Sequence, residues 1–164
     1  MLIVEPSLLD LAAEVLRVCR AQHLRLATAE SCTGGLIAGC LTAVAGSSIV
    51  FDRGFVTYSN VAKTAELGVS AELLAKRGAV DEAVARAMAE GALAAAGADV
   101  SVAVTGIAGP DGGGPGKPVG LVHFAAARSG AETLHERHVF AGDRQQVRAA
   151  TVETALRLLA RRVA

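Results

Sequence analysis

Leu8, Leu9, Ala12, Val15, Leu16 and Cys19 recur at helical spacing while Asp10, Glu14 and Arg17 fall on another face. This predicts an amphipathic first helix with Pro6 in its first turn. A short strand is expected over 24–28, then a buried helix over 33–45, with Gly34 and Gly35 in its first turn and Gly46 as its stop. Ile49, Val50, Phe51, Phe55, Val56 and Tyr58 predict extended chain over 48–58, with a bulge or bend at Gly54. Asn60 reads as the N-cap of a short helix containing Lys63. Glu82, Arg86 and Glu90, four apart, mark the exposed face of a helix over 81–96 that Gly97 ends. The apolar run 100–105 has the pattern of a central strand covered on both faces. Segments 119–127 and 133–140 form a hairpin around Arg128, Ser129 and Gly130, and Asp143 caps a last helix to about 160.

Helices and strands interleave without a repeat, linker or charge block, so the expected architecture is a three-layer α/β/α single domain, 1–164, with a mixed sheet. The uncharged run 31–51 is long enough to span a membrane, but Gly34, Gly35, Gly39, Gly46, Ser47 and Ser48 interrupt it, and Glu30 and Asp52 bracket it. A buried helix and a turn explain it better. MLIVEPSLLD carries no basic n-region or small-residue cleavage site, so no export signal is expected.

Composition narrows the partners. Sixteen Lys plus Arg balance sixteen Asp plus Glu, which removes the broad positive field of a general nucleic-acid binder and leaves room for a small local anion site. Cys19, Cys32 and Cys40 lack CxxC spacing. A disulfide framework or thiolate zinc site is therefore not expected, and the compartment reads as reducing and cytoplasmic. No HExxH, paired-carboxylate or clustered His/Asp pattern points to a catalytic metal. His23, His123, His135 and His138 occupy loop and strand positions that do not suggest a Ser-His-Asp triad.

Three segments could carry chemistry. In Ala29-Glu30-Ser31-Cys32-Thr33-Gly34-Gly35 a strand end turns into a helix, which would expose Ser31 beside free backbone N–H groups. An ordinary helix cap is the competing reading, and Cys32 is the rival nucleophile. In the second segment, 56–63, Lys63 falls at the third helical position if Asn60 is the cap, where the positive helix end disfavours a cation. A partly dry cleft would make such an amine a usable general base; a solvated surface lysine is the alternative. The third, 105–118, leaves the carboxyl end of the central strand, where open α/β sheets place ligands. It is neither a P-loop nor a G-x-G-x-x-G turn: Asp111 stands where the P-loop needs its first glycine, Pro118 replaces the Ser or Thr, and Lys117 replaces the last glycine of the dinucleotide motif. A ligand loop and a flexible connection both remain open.

AESCTGG at 29–35, GFVTYSN at 54–60 followed by Lys63, TGIAGPDGG at 105–113, KPVG at 117–120 and GDR at 142–144 together resemble the CinA C-terminal domain, the family of nicotinamide-nucleotide amidases. The resemblance spans nearly the whole chain. It implies hydrolysis of nicotinamide mononucleotide to nicotinate mononucleotide and ammonia by a metal-independent serine mechanism without a cofactor, in a homodimeric cytoplasmic protein. Carried over by position, Ser31 is the nucleophile, Lys63 its base partner, Tyr58 an assisting hydroxyl and Arg144 a phosphate or active-site cation. Thr33, Gly34 and Gly35, with Thr105 and Gly106, would hold substrate and oxyanion. Where the family often shows GAVSE, this chain has Gly78-Ala79-Val80-Asp81-Glu82, and Asp caps a helix as well as Ser does. Longer CinA proteins carry an N-terminal nucleotide-pyrophosphatase-like domain, for which 164 residues leave no room. Two other functions compete with the amidase: a non-catalytic nucleotide- or phosphate-binding regulatory module on the same glycine turns, and an assembly domain with a vestigial cleft.

Overall fold

A computed structural model describes residues 4–164; the first three residues of the stretch read for an export signal lie outside it. Helix α1 (Pro6–Ala21) leads into β1 (Leu26–Glu30), α2 (Leu36–Thr42) and β2 (Phe51–Val56). Two short helices, α3 (Asn60–Leu67) and α4 (Ala71–Arg77), precede α5 (Glu82–Ala96). The chain ends with β3 (Val100–Gly106), the hairpin β4 (Leu121–Arg128) and β5 (Leu134–Val139), and α6 (Arg144–Val163).

The five strands lie in the order β2-β1-β3-β4-β5, all running the same way except β4, which is antiparallel to β3 and to its hairpin partner β5. Strands β1 and β3 are buried almost end to end, which accounts for the mostly apolar run of β3 and leaves the polar Thr28 and Glu30 of β1 buried as well. One face packs α1, α2 and α6 through residues such as Val15, Ile37, Leu156 and Leu159. The other packs α3, α4 and α5 through Leu67, Leu74, Val84 and Met88. The mixed three-layer sandwich is thus the expected fold. No helix among the described residues is long and apolar enough to cross a membrane.

Several local expectations are corrected. Gly34 and Gly35 both take left-handed backbone (φ 60° and 98°), so the second helix starts at Leu36 rather than within their turn. It ends at Thr42, and Gly46 instead opens the short 3-10 turn Ser47–Ile49 where extended chain was expected. Strand β1 lies two residues later than predicted. The β1–β2 irregularity falls between Leu26 and Ala27, while Gly54 stays in register with Thr28. Helix α4, unpredicted, is capped by Ser70, whose hydroxyl accepts from Leu73 N–H. Ser59, not Asn60, caps α3 by accepting from Ala62 N–H, which moves Lys63 to the fourth helical position.

Topology places the chemistry. The parallel strands β1, β2 and β3 end on the same side of the sheet, and β5 delivers the N-terminus of α6 to that side as well. Where α3 crosses α5, a side chain at Gly91 would collide with the Leu67 carbonyl, so a glycine lets the helices approach and fixes α3 over the strand ends. The Asp143 carboxylate caps α6 in a reciprocal capping box with Gln146, giving that helix a defined start.

Candidate active site

Ser31 is the first residue beyond β1, and the parallel ladder continues through it: its N–H donates to Val104 O at 3.1 Å, and Thr57 N–H donates to Glu30 O at 2.9 Å. The chain then closes a turn in which Gly34 N–H donates to Ser31 O at 3.1 Å. Lys63 reaches under this turn from α3. Its Nζ lies 3.0 Å from Ser31 Oγ and 2.8 Å from Thr57 O. The lysine is only 1% exposed, and burial pushes its pKa below the usual 10.5. Burial is the leading cause of that shift, as the partly dry cleft expected from the sequence requires, and the third-position dipole effect is not among its causes.

A buried amine with a lowered pKa, one carbonyl acceptor and one hydroxyl within reach can donate to Thr57 O and offer its lone pair to Ser31 Oγ–H. The solvated-surface alternative for Lys63 does not hold. Cys32 is also buried, and desolvation raises its thiol to about 11, so it stays protonated near neutral pH.

A cavity of about 280 Å³ opens over these groups, lined by Ser31, Cys32, Lys63, Tyr58, Thr105, Gly106, Asp111 and Arg144 among others. It is near the lower end of small-molecule sites, roughly 300–1,000 Å³. Arg144 donates to Gly109 O and to the Tyr58 hydroxyl, both at 2.9 Å, and so ties the loop after β3 to the segment after β2. Tyr58 is 59% exposed, and its hydroxyl makes no hydrogen bond to Ser31 or Lys63. Thr105 donates its hydroxyl hydrogen to Ala79 O at 2.9 Å, anchoring the segment before α5 at the cavity wall.

The Thr33-Gly34-Gly35 turn does not line the cavity. The reason is Glu30, a wholly buried carboxylate that accepts from Thr33 Oγ1 (2.5 Å) and from the N–H groups of Gly35 (3.2 Å), Ile37 (3.0 Å) and Ala38 (2.9 Å). It fills the anion position at the start of α2 that the sequence reading gave to a ligand. The N–H groups of Cys32 and Thr33 find no acceptor among the described residues; Cys32 lines the cavity beside Ser31, whereas Thr33 is wholly buried outside it. The sequence reading quoted Glu30 without a role and passed over Arg148, whose Nε and Nη2 donate to Cys32 O and Thr33 O at 3.2 and 3.1 Å. A signal was present. Arg144 and Arg148 stand four apart at the positive end of a helix, where cations need carbonyl partners to be held.

A larger hollow between α3 and α4, about 440 Å³, is walled mainly by Val61, Ala65, Leu74 and Ala75 and contains no titratable side chain. Among the described residues no group of three or more His, Cys, Asp or Glu is arranged to hold a metal ion.

Comparison with known proteins converges on one family. The CinA C-terminal domain model matches residues 8–163. A CinA-like protein of Citrifermentans bemidjiense is 58% identical over 142 residues, covering 87% of this chain; the chain spans about a third (34%) of that longer relative. The nicotinamide-nucleotide amidohydrolase PncC of Escherichia coli K12 is 49% identical over 155 residues, 94% of each chain. The crystal structure of the competence/damage inducible protein CihA of Agrobacterium tumefaciens superposes with a TM-score of 0.93 at 49% identity, over 97% of each chain. With its fold, its extent and its motifs in agreement, the chain belongs to the CinA C-terminal domain family.

Proposed function

We propose that this chain is a serine amidohydrolase that converts nicotinamide mononucleotide to nicotinate mononucleotide and ammonia without a metal. The observation that carries the reading is the buried Lys63 Nζ, 3.0 Å from Ser31 Oγ at the floor of the cavity. The substrate follows from relatives named nicotinamide-nucleotide amidohydrolase at 49–51% identity over 93–94% of this chain.

Ser31 Oγ attacks the carboxamide carbon as Lys63 Nζ takes the hydroxyl proton. The C=O π pair moves to oxygen, and the Cys32 N–H, which directly follows the nucleophile, is the backbone donor offered to that charge. In acyl-transfer enzymes one such donor is worth roughly 3–4 kcal/mol. Collapse breaks the C–N bond, and the Lys63 proton goes to the departing nitrogen, which leaves as ammonia. A water molecule then attacks the acyl-enzyme, gives a proton to Lys63, and releases nicotinate mononucleotide as Ser31 recovers its hydrogen. The proton moves directly between Ser31 and Lys63, so no step requires Tyr58. Tyr58 and Arg144 instead form one wall, where the guanidinium meets the substrate phosphate. The pyridinium ring withdraws electrons from the carboxamide, and phosphate binding supplies remote binding energy.

Val56 and Val61, exposed on either side of Tyr58 in the chain, fit a homodimer contact beside the cavity.

The test is ammonia release from nicotinamide mononucleotide by purified protein, with and without chelator. Turnover is expected unchanged by chelator, reduced at least about a hundredfold in Ser31→Ala, and largely retained in Cys32→Ala. Saturable binding with no turnover by folded wild-type protein would instead establish a binding module. An inactive Cys32→Ala beside an active Ser31→Ala would transfer the nucleophile's role.

A further inference from the structure

The geometry points to Arg148 as a positioning residue that holds Cys32, the residue after the nucleophile and the bearer of the oxyanion donor, an inference that rests on the amidase reading above. Almost every backbone polar group in the turn after β1 is tied down. Ser31 N–H goes to Val104 O, Gly34 N–H to Ser31 O and Gly35 N–H to the Glu30 carboxylate. Thr33 O accepts from Leu36 N–H, and the Cys32 and Thr33 carbonyls are both held from outside the turn by the one guanidinium of Arg148. Two donors, Cys32 N–H and Thr33 N–H, are left over; Cys32 directly follows the nucleophile and lines the cavity, whereas Thr33 is wholly buried outside it.

Peptide planarity connects these facts. In a trans peptide the carbonyl of one residue and the N–H of the next point in opposite directions. Gly34 N–H holding Ser31 O therefore fixes the direction of Cys32 N–H, and Arg148 Nε holding Cys32 O fixes the peptide on the other side of Cys32, so that residue is held from both sides. The second bond on Thr33 O stops this peptide pair from rocking about the first. Both bonds of Arg148 go to this backbone, and it forms no ion pair among the described residues. A guanidinium fork suits the task because two N–H groups in one plane reach two successive carbonyls. The side chain is half-buried on α6, whose capping box fixes where the fork begins. Arg148 does not line the cavity and touches no substrate; it acts through the turn.

The test compares wild type with Arg148→Ala and Arg148→Lys, using nicotinamide mononucleotide turnover and, separately, acylation of Ser31 by p-nitrophenyl acetate, with a thermal midpoint for each protein. Loosening a donor costs less than deleting it, so kcat is expected to fall about 10- to 100-fold in Arg148→Ala with KM within about threefold. Ethylguanidinium at millimolar concentration is expected to restore part of that loss, a readout that general destabilisation does not reproduce. Lysine, with one donor group in place of a fork, is expected to recover only part of kcat. If the alanine variant does not fold, the lysine variant decides, with at least a fivefold loss of kcat at unchanged KM expected. Folded variants with wild-type kcat, or a loss that appears in KM and resists rescue, overturn the positioning role and leave the amidase reading intact. Wild-type protein that neither turns over the nucleotide nor is acylated by the ester sinks both.

Discussion

Replacing Lys63 with methionine removes the proposed base while keeping an unbranched, mostly apolar side chain in a nearly sealed site. Three terms set the effect on stability. The Thr57 carbonyl loses the donor now at 2.8 Å, which costs about 1–3 kcal/mol for a buried group. Imperfect refilling of the space costs less than about 1.5 kcal/mol. Against both, the folded protein no longer desolvates an amine that is 1% exposed, a relief of comparable or larger size. The net change is expected to lie within about 2 kcal/mol of zero, small beside the roughly 5–15 kcal/mol that holds a domain folded. Activity should respond differently, since loss of a positioned general base lowers rates by about 10²–10⁴. A continuous ammonia assay beside a urea titration separates the two effects. Wild-type kcat/KM should rise with pH as Lys63 loses its proton and flatten below the ordinary lysine value of 10.5, because burial lowers the Lys63 pKa. A folded Lys63→Met protein retaining more than a tenth of wild-type kcat/KM would refute the base assignment. So would a wild-type rate that keeps climbing to pH 10.5.

Glu30→Gln leaves the fold's shape but puts an amide NH₂ against a cluster of donors, so at least one of the Thr33, Gly35, Ile37 and Ala38 groups loses its acceptor. A loss of about 2–3 kcal/mol in urea unfolding is expected, and an unchanged midpoint would show that the carboxylate does not organise the turn. On the far side of the sheet, His123 Nδ1 and His135 Nε2 lie 2.9 Å apart, with Asp81, Glu82 and Arg86 from α5 and Glu136 and Arg137 from β5 around them. Burial lowers both histidines below 6.5, so the unfolded chain binds more protons in the window below that value, and stability falls as pH drops through it. In His135→Gln, which keeps a hydrogen-bonding partner for His123 but does not titrate, the fall in thermal midpoint between pH 7 and 5 should be smaller; an identical slope would rule the pair out as its source.

What the sequence determined by itself is local. Apolar period and cap chemistry placed α1, α5, the buried β3 and the α6 start at Asp143, because each signal lies within a few residues of the element it controls. The motifs picked out Ser31, Lys63, Thr105 and Arg144, which the fold brings to one cavity although they lie far apart in the chain. Periodicity could not start α2 correctly, since two successive left-handed glycines decide it, and it missed α4, one short turn pair held by Ser70. Only the tertiary structure decided which polar groups were already taken. Whether a helix N-terminus is free for a ligand depends on the reach of Glu30 from the adjoining strand. Whether Lys63 is a surface cation or a desolvated amine depends on α3 pressing against α5 and the β1 turn, and the partner that holds the Cys32 and Thr33 carbonyls is Arg148, more than a hundred residues later. Burial, pKa and donor orientation are properties of surroundings, and segments distant in the chain supply those surroundings only once it has folded.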